Sequence, residues 1–94
     1  MTELEFSEHA KQKLEERDIA PSEVSTVLKT PSAVFIDVET GYFIAVEGVS
    51  RSNHHLIVVY VVQKDKVKII TIIDTTKMEM VKRRVEKGRW VRVK

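Results

Sequence analysis

Two adjacent histidines and a few cations are the side chains of this sequence that could move protons or hold a phosphate. His54 and His55 closely follow Arg51, Lys68 opens a later apolar run, and Arg84 lies in a basic stretch beyond it. Histidine titrates near neutral pH and serves as a general base or acid. The arginine fork binds phosphate, and a cation stabilises the charge that develops on it during cleavage. These residue types are the ones that metal-free cleavage of RNA requires.

One hypothesis assigns a catalytic role to each of these side chains. His54 is the base or acid, Arg51 and Arg84 are phosphate ligands, and Lys68 is the cation that stabilises the transition state. The alternative is structural: a histidine pair that opens a strand is a solvated strand end, and Arg51 decorates a polar loop. We also expect Lys68 to share a strand face with Ile72, at the solvent rim of that strand.

The C-terminal third of the sequence is basic. Residues 64–94 hold 11 Lys and Arg against 4 Asp and Glu, which gives this segment a net charge of +7. Residues 1–63 hold 5 Lys and Arg against 10 Asp and Glu, which gives −5, so the whole chain has a net charge of only +2. An asymmetry of this kind indicates an anionic partner near the basic part. The single tryptophan, Trp90, is surrounded by Lys77, Lys82, Arg83, Arg84, Lys87, Arg89, Arg92 and Lys94.

Cations that hold a phosphate backbone, beside an aromatic ring that stacks on a base, are the components of a nucleic-acid surface. On this hypothesis the contacts to RNA come from Lys77, Arg83, Lys87, Arg89, Trp90 and Arg92. An acidic protein segment is attracted by the same charges, so basicity alone leaves both partners open. Two structural alternatives also stand: Trp90 packs against the sheet, and the charged helix is simply solvated.

No metal or cofactor site is predicted. The sequence has no cysteine, which excludes disulfides and thiolate ligands. Its acids are scattered, and no pair has a spacing that suits a metal-dependent nuclease. His54 and His55 are adjacent in a predicted strand, so their side chains point to opposite faces and cannot share one ion.

A cytoplasmic protein without a membrane segment is expected. The absence of cysteine suits a reducing compartment. The first five residues are acidic and no apolar stretch follows them, unlike a signal peptide. The longest apolar run, Leu56–Val62, is too short to span a bilayer.

Hydrophobic periodicity predicts the elements that must position the candidate side chains. Apolar residues at every fourth position behind an N-capping Ser7 predict a helix over residues 8–17. Pro21 suits the first position of a second helix, which ends before Pro31. The period then changes to that of strands. Extended runs are predicted at Ala33–Glu39, Tyr42–Val49, His54–Gln63 and Val67–Ile73.

The end of the sequence predicts a third helix and a short tail. The helix follows the N-capping types Asp74-Thr75-Thr76 and stops at Gly88. Residues 4–6 are a short strand or a lead-in, and residues 89–94 alternate like an edge strand or a docking segment. Residues 1–94 are thus expected to form one α+β domain, with two N-terminal helices, a four-stranded antiparallel sheet and a basic C-terminal helix. Its edge strands could pair with those of a second copy, which would form a homodimer.

Several of these residues resemble two groups of small proteins. Near the N-terminus, Phe6-Ser7-Glu8-His9-Ala10, Leu14, Arg17, Ile19, Glu23-Val24 and the stretch from Leu28 to Pro31 resemble the opening of the DUF4258 family. Later, Gly48 before Leu56–Tyr60, then Lys68–Thr71 and Lys82-Arg83-Arg84, resemble that family and the BrnT group of toxins. Both groups look related to the RelE/ParE superfamily of toxin–antitoxin systems.

This resemblance implies a RelE/BrnT-like fold and a toxin that a partner antitoxin neutralises. The superfamily includes ribonucleases that cleave mRNA, which favours a metal-independent endoribonuclease. One departure favours a non-catalytic module of the same fold, which binds protein or nucleic acid on its basic helix. Asp74 stands where BrnT-like sequences usually carry arginines, so an acid occupies the place of a phosphate-binding cation.

Overall fold

Long Val/Ile runs without a polar face predict strands that are covered on both sides, and the structure has this arrangement. The computed structural model describes residues 3–47 and 54–94. The helices are α1 (Glu8–Glu16), α2 (Pro21–Lys29) and α3 (Glu79–Glu86). The strands are β1 (Glu3–Phe6), β2 (Ala33–Asp37), β3 (Phe43–Glu47), β4 (His55–Gln63), β5 (Lys66–Thr75) and β6 (Trp90–Arg92).

These strands form one mixed sheet in the order β1-β5-β4-β3-β2-β6. Strand β1 runs parallel to β5, and the other pairings are antiparallel. The prediction of a four-stranded antiparallel sheet is therefore wrong. Short connections predict only the hairpins β2–β3, β3–β4 and β4–β5, whereas β1 and β6 join the sheet through partners far away in the sequence.

The sheet separates two apolar cores. The first core lies under α1 and α2 and contains Ala10, Ile19, Val24, Val27, Ala45, Leu56, Val58, Ile69 and Ile72. The second core lies under α3 and contains Phe35, Ile44, Val46, Ile57, Val81 and Trp90. Because α3 covers the face opposite α1 and α2, the molecule has three layers, and anything carried by α3 is separated by the sheet from anything carried by α1 and α2.

Local signals in the sequence explain three helix ends. The Ser7 side chain accepts a hydrogen bond from the backbone N–H of Ala10 at 3.0 Å, as expected of an N-cap. Pro21 is the first residue of α2. Gly88 follows the C-terminal cap of α3 with a φ of +75°, a conformation that glycine adopts without strain. These three predictions are confirmed.

The start of α3 was predicted too early. Strand β5 continues through Asp74 to Thr75, and α3 begins only at Glu79. The predicted caps have other partners: Asp74 is bonded to His54, and the Thr75 hydroxyl accepts from the backbone N–H of Lys77 at 3.1 Å. The side chains that resembled a helix start therefore hold the end of a strand.

An irregularity in β5 changes the orientation of its N-terminal half. The β4–β5 register shifts between Val59 and Tyr60, and Ile69 and Ile72 both lie in the first core although they are three residues apart. A regular strand alternates faces at every residue, so a bulge must lie between them. Lys68 precedes Ile69 and therefore points away from the first core, so it does not share a face with Ile72 as predicted.

No helix in the described part of the chain combines the length and apolar character that crossing a bilayer requires.

Candidate functional site

A cleft of about 370 Å³ opens beside the first core, where the C-terminal end of α1 meets α2 and the sheet. We call it the acidic cleft. It is lined by Arg17, Asp18, Ile19, Glu23, Thr26, Val27, Glu47, His54, Leu56 and Asp74. Its apolar floor comes from core side chains, and its polar walls come from a helix end and the ends of three strands. Ends of elements carry the chemistry here because their side chains are not committed to core packing.

A short hydrogen bond between His54 and Asp74 lies in the acidic cleft. The His54 Nδ1 atom is 2.6 Å from Asp74 Oδ1, with 43% of the histidine side chain and 21% of the aspartate side chain exposed. The two side chains meet because His55 pairs with Thr75 in the β4–β5 register. His54 and Asp74 directly precede these two residues, so they lie at the same end of the sheet. A carboxylate only accepts, so Nδ1 donates this hydrogen bond, and in the neutral imidazole with this tautomer Nε2 is an acceptor. This is the arrangement of an oriented general base.

The charge of the acidic cleft restricts what can enter it. Among the described residues that line it, one cation, Arg17, faces the four carboxylates of Asp18, Glu23, Glu47 and Asp74, which gives these residues a net charge of −3 with neutral histidine. The Glu23 carboxylate also accepts from the backbone N–H of Ala20 at 3.2 Å, where it caps α2. A polyanion such as RNA is repelled by this charge, so the cleft suits a neutral or cationic ligand.

A second cleft, of about 470 Å³, lies on the opposite face, between α3 and the β2–β3 turn. We call it the basic cleft. Its lining residues are Glu39, Met80, Arg83, Arg84, Lys87 and Arg89. Four cations against one carboxylate give it a net charge of +3. Arg89 is engaged, since its Nε atom lies 3.2 Å from Asp37 Oδ2 and from Glu39 Oε2. Arg83 and Lys87 are exposed, with no carboxylate partner in the described residues.

Asp37 lies behind the basic cleft and holds its lining residue Arg89. This buried carboxylate accepts from the backbone N–H groups of Glu39 and Thr40, from Arg89 and from the indole N–H of Trp90 at 3.3 Å. Burial by itself raises the pKa of Asp37, but the two backbone N–H groups, the Arg89 charge and the indole outweigh it and leave the pKa below 3.8. Asp37 is therefore a stable anion that ties β2 to β6.

Trp90 is a core residue. Only 5% of it is exposed, and its ring contacts Phe35 with 6.1 Å between the centroids. The Arg84 guanidinium lies over the same ring at 5.5 Å, in a cation–π arrangement that fixes the arginine on the outside of the core. The packing alternative for Trp90 describes its position in the structure, where the buried ring offers no open face for stacking on a base.

The residues proposed for catalysis do not meet. His54 lines the acidic cleft, whereas Arg84 lines the basic cleft on the other side of the sheet. Lys68 is six residues before Asp74 in β5, which corresponds to about 20 Å of strand. Arg51 lies outside the described residues, as does the polar loop predicted around it. The structure thus leaves His54 with Asp74 and Arg17 as neighbours in its cleft, not with Lys68 or Arg84.

Several of the residues proposed to bind nucleic acid, unlike the catalytic set, lie in one cleft. Arg83, Lys87 and Arg89 share the basic cleft, Lys77 is exposed ahead of α3, and Arg92 is exposed on β6. All of these except Trp90 present a charge at the surface. Among the described residues, no group of three or more His, Asp or Glu side chains is arranged to hold a metal ion.

Comparison with known protein families gives one match. The family model described as a domain of unknown function, DUF4258, matches residues 6–74. The chain belongs to the DUF4258 family. In this DUF4258 protein, all residues that line the acidic cleft lie inside the matched segment, whereas α3 and β6 follow it. No curated protein and no solved structure matches the chain.

Two long-range contacts of this DUF4258 protein have no counterpart in the sequence predictions. The His54–Asp74 pair spans 20 residues and the Asp37–Trp90 pair spans 53, so neither has a local signal. The sequence pattern around Asp74 indicates a helix N-cap or a missing cation, and neither interpretation pairs it with His54. The hairpin that joins β4 and β5 offered a clue, because its register brings the residue before β4 close to the end of β5.

Proposed function

We propose that this DUF4258 chain is a toxin-like binding module of a toxin–antitoxin type system, which holds an anionic macromolecule on α3 and the basic cleft and does not cleave it. One observation carries the proposal: the cations and the candidate base lie on opposite faces of the sheet. A general base must come within about 3 Å of the proton that it removes. A polyanion bound to α3 is separated from His54 by the thickness of the sheet.

Two further features support a binding role for α3. Lys82, Arg83 and Lys87 are exposed, and none has a carboxylate partner among the described residues. The Arg84–Trp90 contact and the Arg89–Asp37 contact hold two more cations in place. A preorganised cationic surface of this kind loses less side-chain entropy on binding than free lysines do. The resemblance to BrnT-like sequences supports the toxin–antitoxin context.

Charge reversal on matched faces tests the proposal. Arg83→Glu with Lys87→Glu is compared with Lys11→Glu with Lys29→Glu, which makes the same charge change at exposed positions of α1 and α2. Titrations use a single-stranded RNA 20-mer and polyglutamate at several salt concentrations. We expect the α3 pair to weaken binding of the preferred polymer on the order of tenfold, and for RNA to reduce the salt slope by about 1.4. Equal losses in the two pairs would contradict the proposal.

The His54–Asp74 bond favours a second candidate function, the metal-independent endoribonuclease. In this candidate, His54 Nε2 takes the 2′-OH proton and the 2′-oxygen attacks the phosphorus; the P–O5′ bond then breaks, and the protonated His54 returns its proton to the leaving 5′-oxygen. Asp74 orients the ring, and Arg17 of the same cleft stabilises the phosphorane in place of Lys68 and Arg84. The net charge of −3 over the described lining residues opposes RNA in this cleft and favours the binding module.

RNA integrity separates the two candidates. Wild-type protein, His54→Gln and the control His9→Gln, which alters an exposed histidine on α1, are each incubated with total RNA. The binding module predicts intact RNA with all three proteins. Cleavage by wild type and by His9→Gln, but not by His54→Gln, would establish the ribonuclease instead.

A further inference from the structure

The outer edge of β6 has free backbone groups. The N–H of Val93 donates to the carbonyl of Val34 at 2.8 Å, and the N–H of Val38 donates to the carbonyl of Arg89 at 2.9 Å. In an antiparallel pair, alternate residues bond to the neighbour and the residues between them face the other way. The backbone N–H and C=O groups of Trp90 and Arg92 therefore point away from β2, and no described strand covers them.

The two faces of this edge differ in chemistry. On the α3 side, Trp90 fills the second core and Arg92 is exposed next to it. On the other side, Val91 and Val93 are 46% and 52% exposed, and Val38, just after β2, is 61% exposed. These valines are accessible because α1 and α2 pack mainly against β5, β3 and β4. A strand added to β6 would meet cations on one face and valines on the other.

We propose that β6 accepts an extended acidic segment of a partner protein as a seventh strand, by β-augmentation. The segment alternates acidic and apolar residues: its carboxylates lie beside Arg92 and the cations of α3, and its apolar side chains lie on Val91 and Val93. Backbone hydrogen bonds to Trp90 and Arg92 supply affinity, and the alternation supplies specificity. This inference rests on the proposed function and names the class of its anionic partner.

The same edge argues against RNA as the preferred occupant. A phosphodiester backbone has no donor for the free carbonyls of Trp90 and Arg92 and no apolar group for the exposed valines. The tryptophan that could stack on a base is buried in the second core. A peptide strand satisfies the donors, the acceptors, the valines and the cations together.

A second copy of the chain fits less well. Pairing β6 with its own copy brings Arg92 and Lys94 of both copies together, and like charges on adjacent strands are destabilising. The opposite edge of the sheet, Glu3-Leu4-Glu5-Phe6 of β1, has the required alternation. A β6-to-β1 contact, however, is head-to-tail and repeats without closing unless the copies form a ring. An acidic segment from another protein avoids both problems.

The experiment uses a capped heptapeptide of alternating valine and glutamate as the probe. Its control has lysine in place of each glutamate. Binding is followed by NMR, through the backbone amides of Trp90 and Arg92 and the indole N–H, and by titration for affinity. We expect the acidic peptide to shift and protect these amides and the lysine peptide to leave them unchanged.

Variants at the edge test the geometry. Arg92→Pro removes the outward N–H and leaves the Val93–Val34 bond, whereas Arg92→Thr removes the charge and keeps the N–H. We expect Arg92→Pro to weaken peptide binding on the order of tenfold and Arg92→Thr to weaken it about threefold. The unchanged fluorescence of Trp90 checks the fold. A second variant, Val91→Glu, repels the peptide, and its control Val62→Glu, at an exposed valine of β4, does not.

Each outcome is decisive for one of the two proposals. Peptide binding that Arg92→Pro and Val91→Glu both weaken supports the seventh strand. If the peptide fails to bind while RNA binds α3 with a steep salt dependence, the seventh strand is overturned and the proposed function stands. If neither polymer binds, both fall. Self-association that Arg92→Pro abolishes would show a second copy at the edge and would also overturn this inference.

Discussion

The acidic cleft and the basic cleft are similar in size and opposite in charge, and they are held together in different ways. The basic cleft is built on a buried network in which Asp37 binds Arg89 and Trp90. The acidic cleft is built on element ends, and its central contact, between His54 and Asp74, is partly exposed. The comparison shows that a buried network of charged and polar groups lies beside the basic cleft, whereas the contact with the geometry of a general base is partly exposed to solvent.

The largest expected effect follows removal of Asp37. Asp37→Ala leaves the buried Trp90 indole N–H without its acceptor and leaves Arg89 with only the exposed Glu39, and we expect the free energy of unfolding to fall by about 3 kcal/mol. Chemical denaturation followed by Trp90 fluorescence measures it. The control Glu39→Ala removes only the exposed partner of Arg89 and costs under about 1 kcal/mol. Equal effects would show that the network is not buried in solution.

The pH dependence of stability sharpens the same comparison. Because the pKa of Asp37 is lower in the folded protein than its ordinary 3.8, the carboxylate stabilises the fold fully above that value. The stabilisation is lost as the pH falls through the lowered folded pKa. We expect wild type to be more stable than Asp37→Asn by a constant margin near neutral pH, and the margin to shrink only below about pH 3.8. A margin that already shrinks between about pH 6 and 5 would contradict the assignment.

The Arg84–Trp90 contact should have an intermediate effect. A double-mutant cycle with Arg84→Met and Trp90→Phe isolates the pairwise energy, and we expect about 0.5–1 kcal/mol for a partly exposed cation–π pair. Denaturant midpoints of the four proteins measure it. A coupling near zero would mean that Arg84 is not held over the ring.

The smallest effect is expected at the acidic cleft. His54→Gln and Asp74→Asn should each change stability by less than about 1 kcal/mol, because solvent screens a pair that is exposed to this extent. The imidazole nitrogen shifts of His54 in NMR should nevertheless report a proton on Nδ1. A stability loss as large as that of Asp37→Ala would show that the His54–Asp74 pair stabilises the fold, as the Asp37 network does. The two clefts would then not differ in this respect.

Local residue patterns predicted the helices better than the sheet. Ser7, Pro21 and Gly88 place helix ends because capping and backbone preference act over a few residues. Strands β1 and β6 have only four and three residues, and their partners lie far along the chain, so no periodicity distinguishes them from a lead-in and a tail. The position of α3 on the second face follows from the apolar character of both faces of β4 and β5, since each apolar face must be covered.

The candidate site was predicted only in part, again because sequence patterns report on residues that are close along the chain and not on long-range pairings. The cations of α3 could be recognised from charge alone, since neighbours in a helix stay together in space. The catalytic set was assembled from residue types, and the fold distributed it over two faces. Asp74 shows the limit most clearly. Its sequence position suggested a lost cation, and only the hairpin register shows that it faces His54.

The most direct test of the central claim is to map where an anionic polymer binds. NMR amide shifts are recorded while the single-stranded RNA 20-mer and polyglutamate are titrated into the wild-type protein. The account predicts shifts at Arg83, Lys87 and Arg92, with the signals of His54 and Asp74 unchanged and the RNA intact. Shifts centred on His54 and Asp74, together with cleavage of the RNA, would contradict it and assign the function to the acidic cleft.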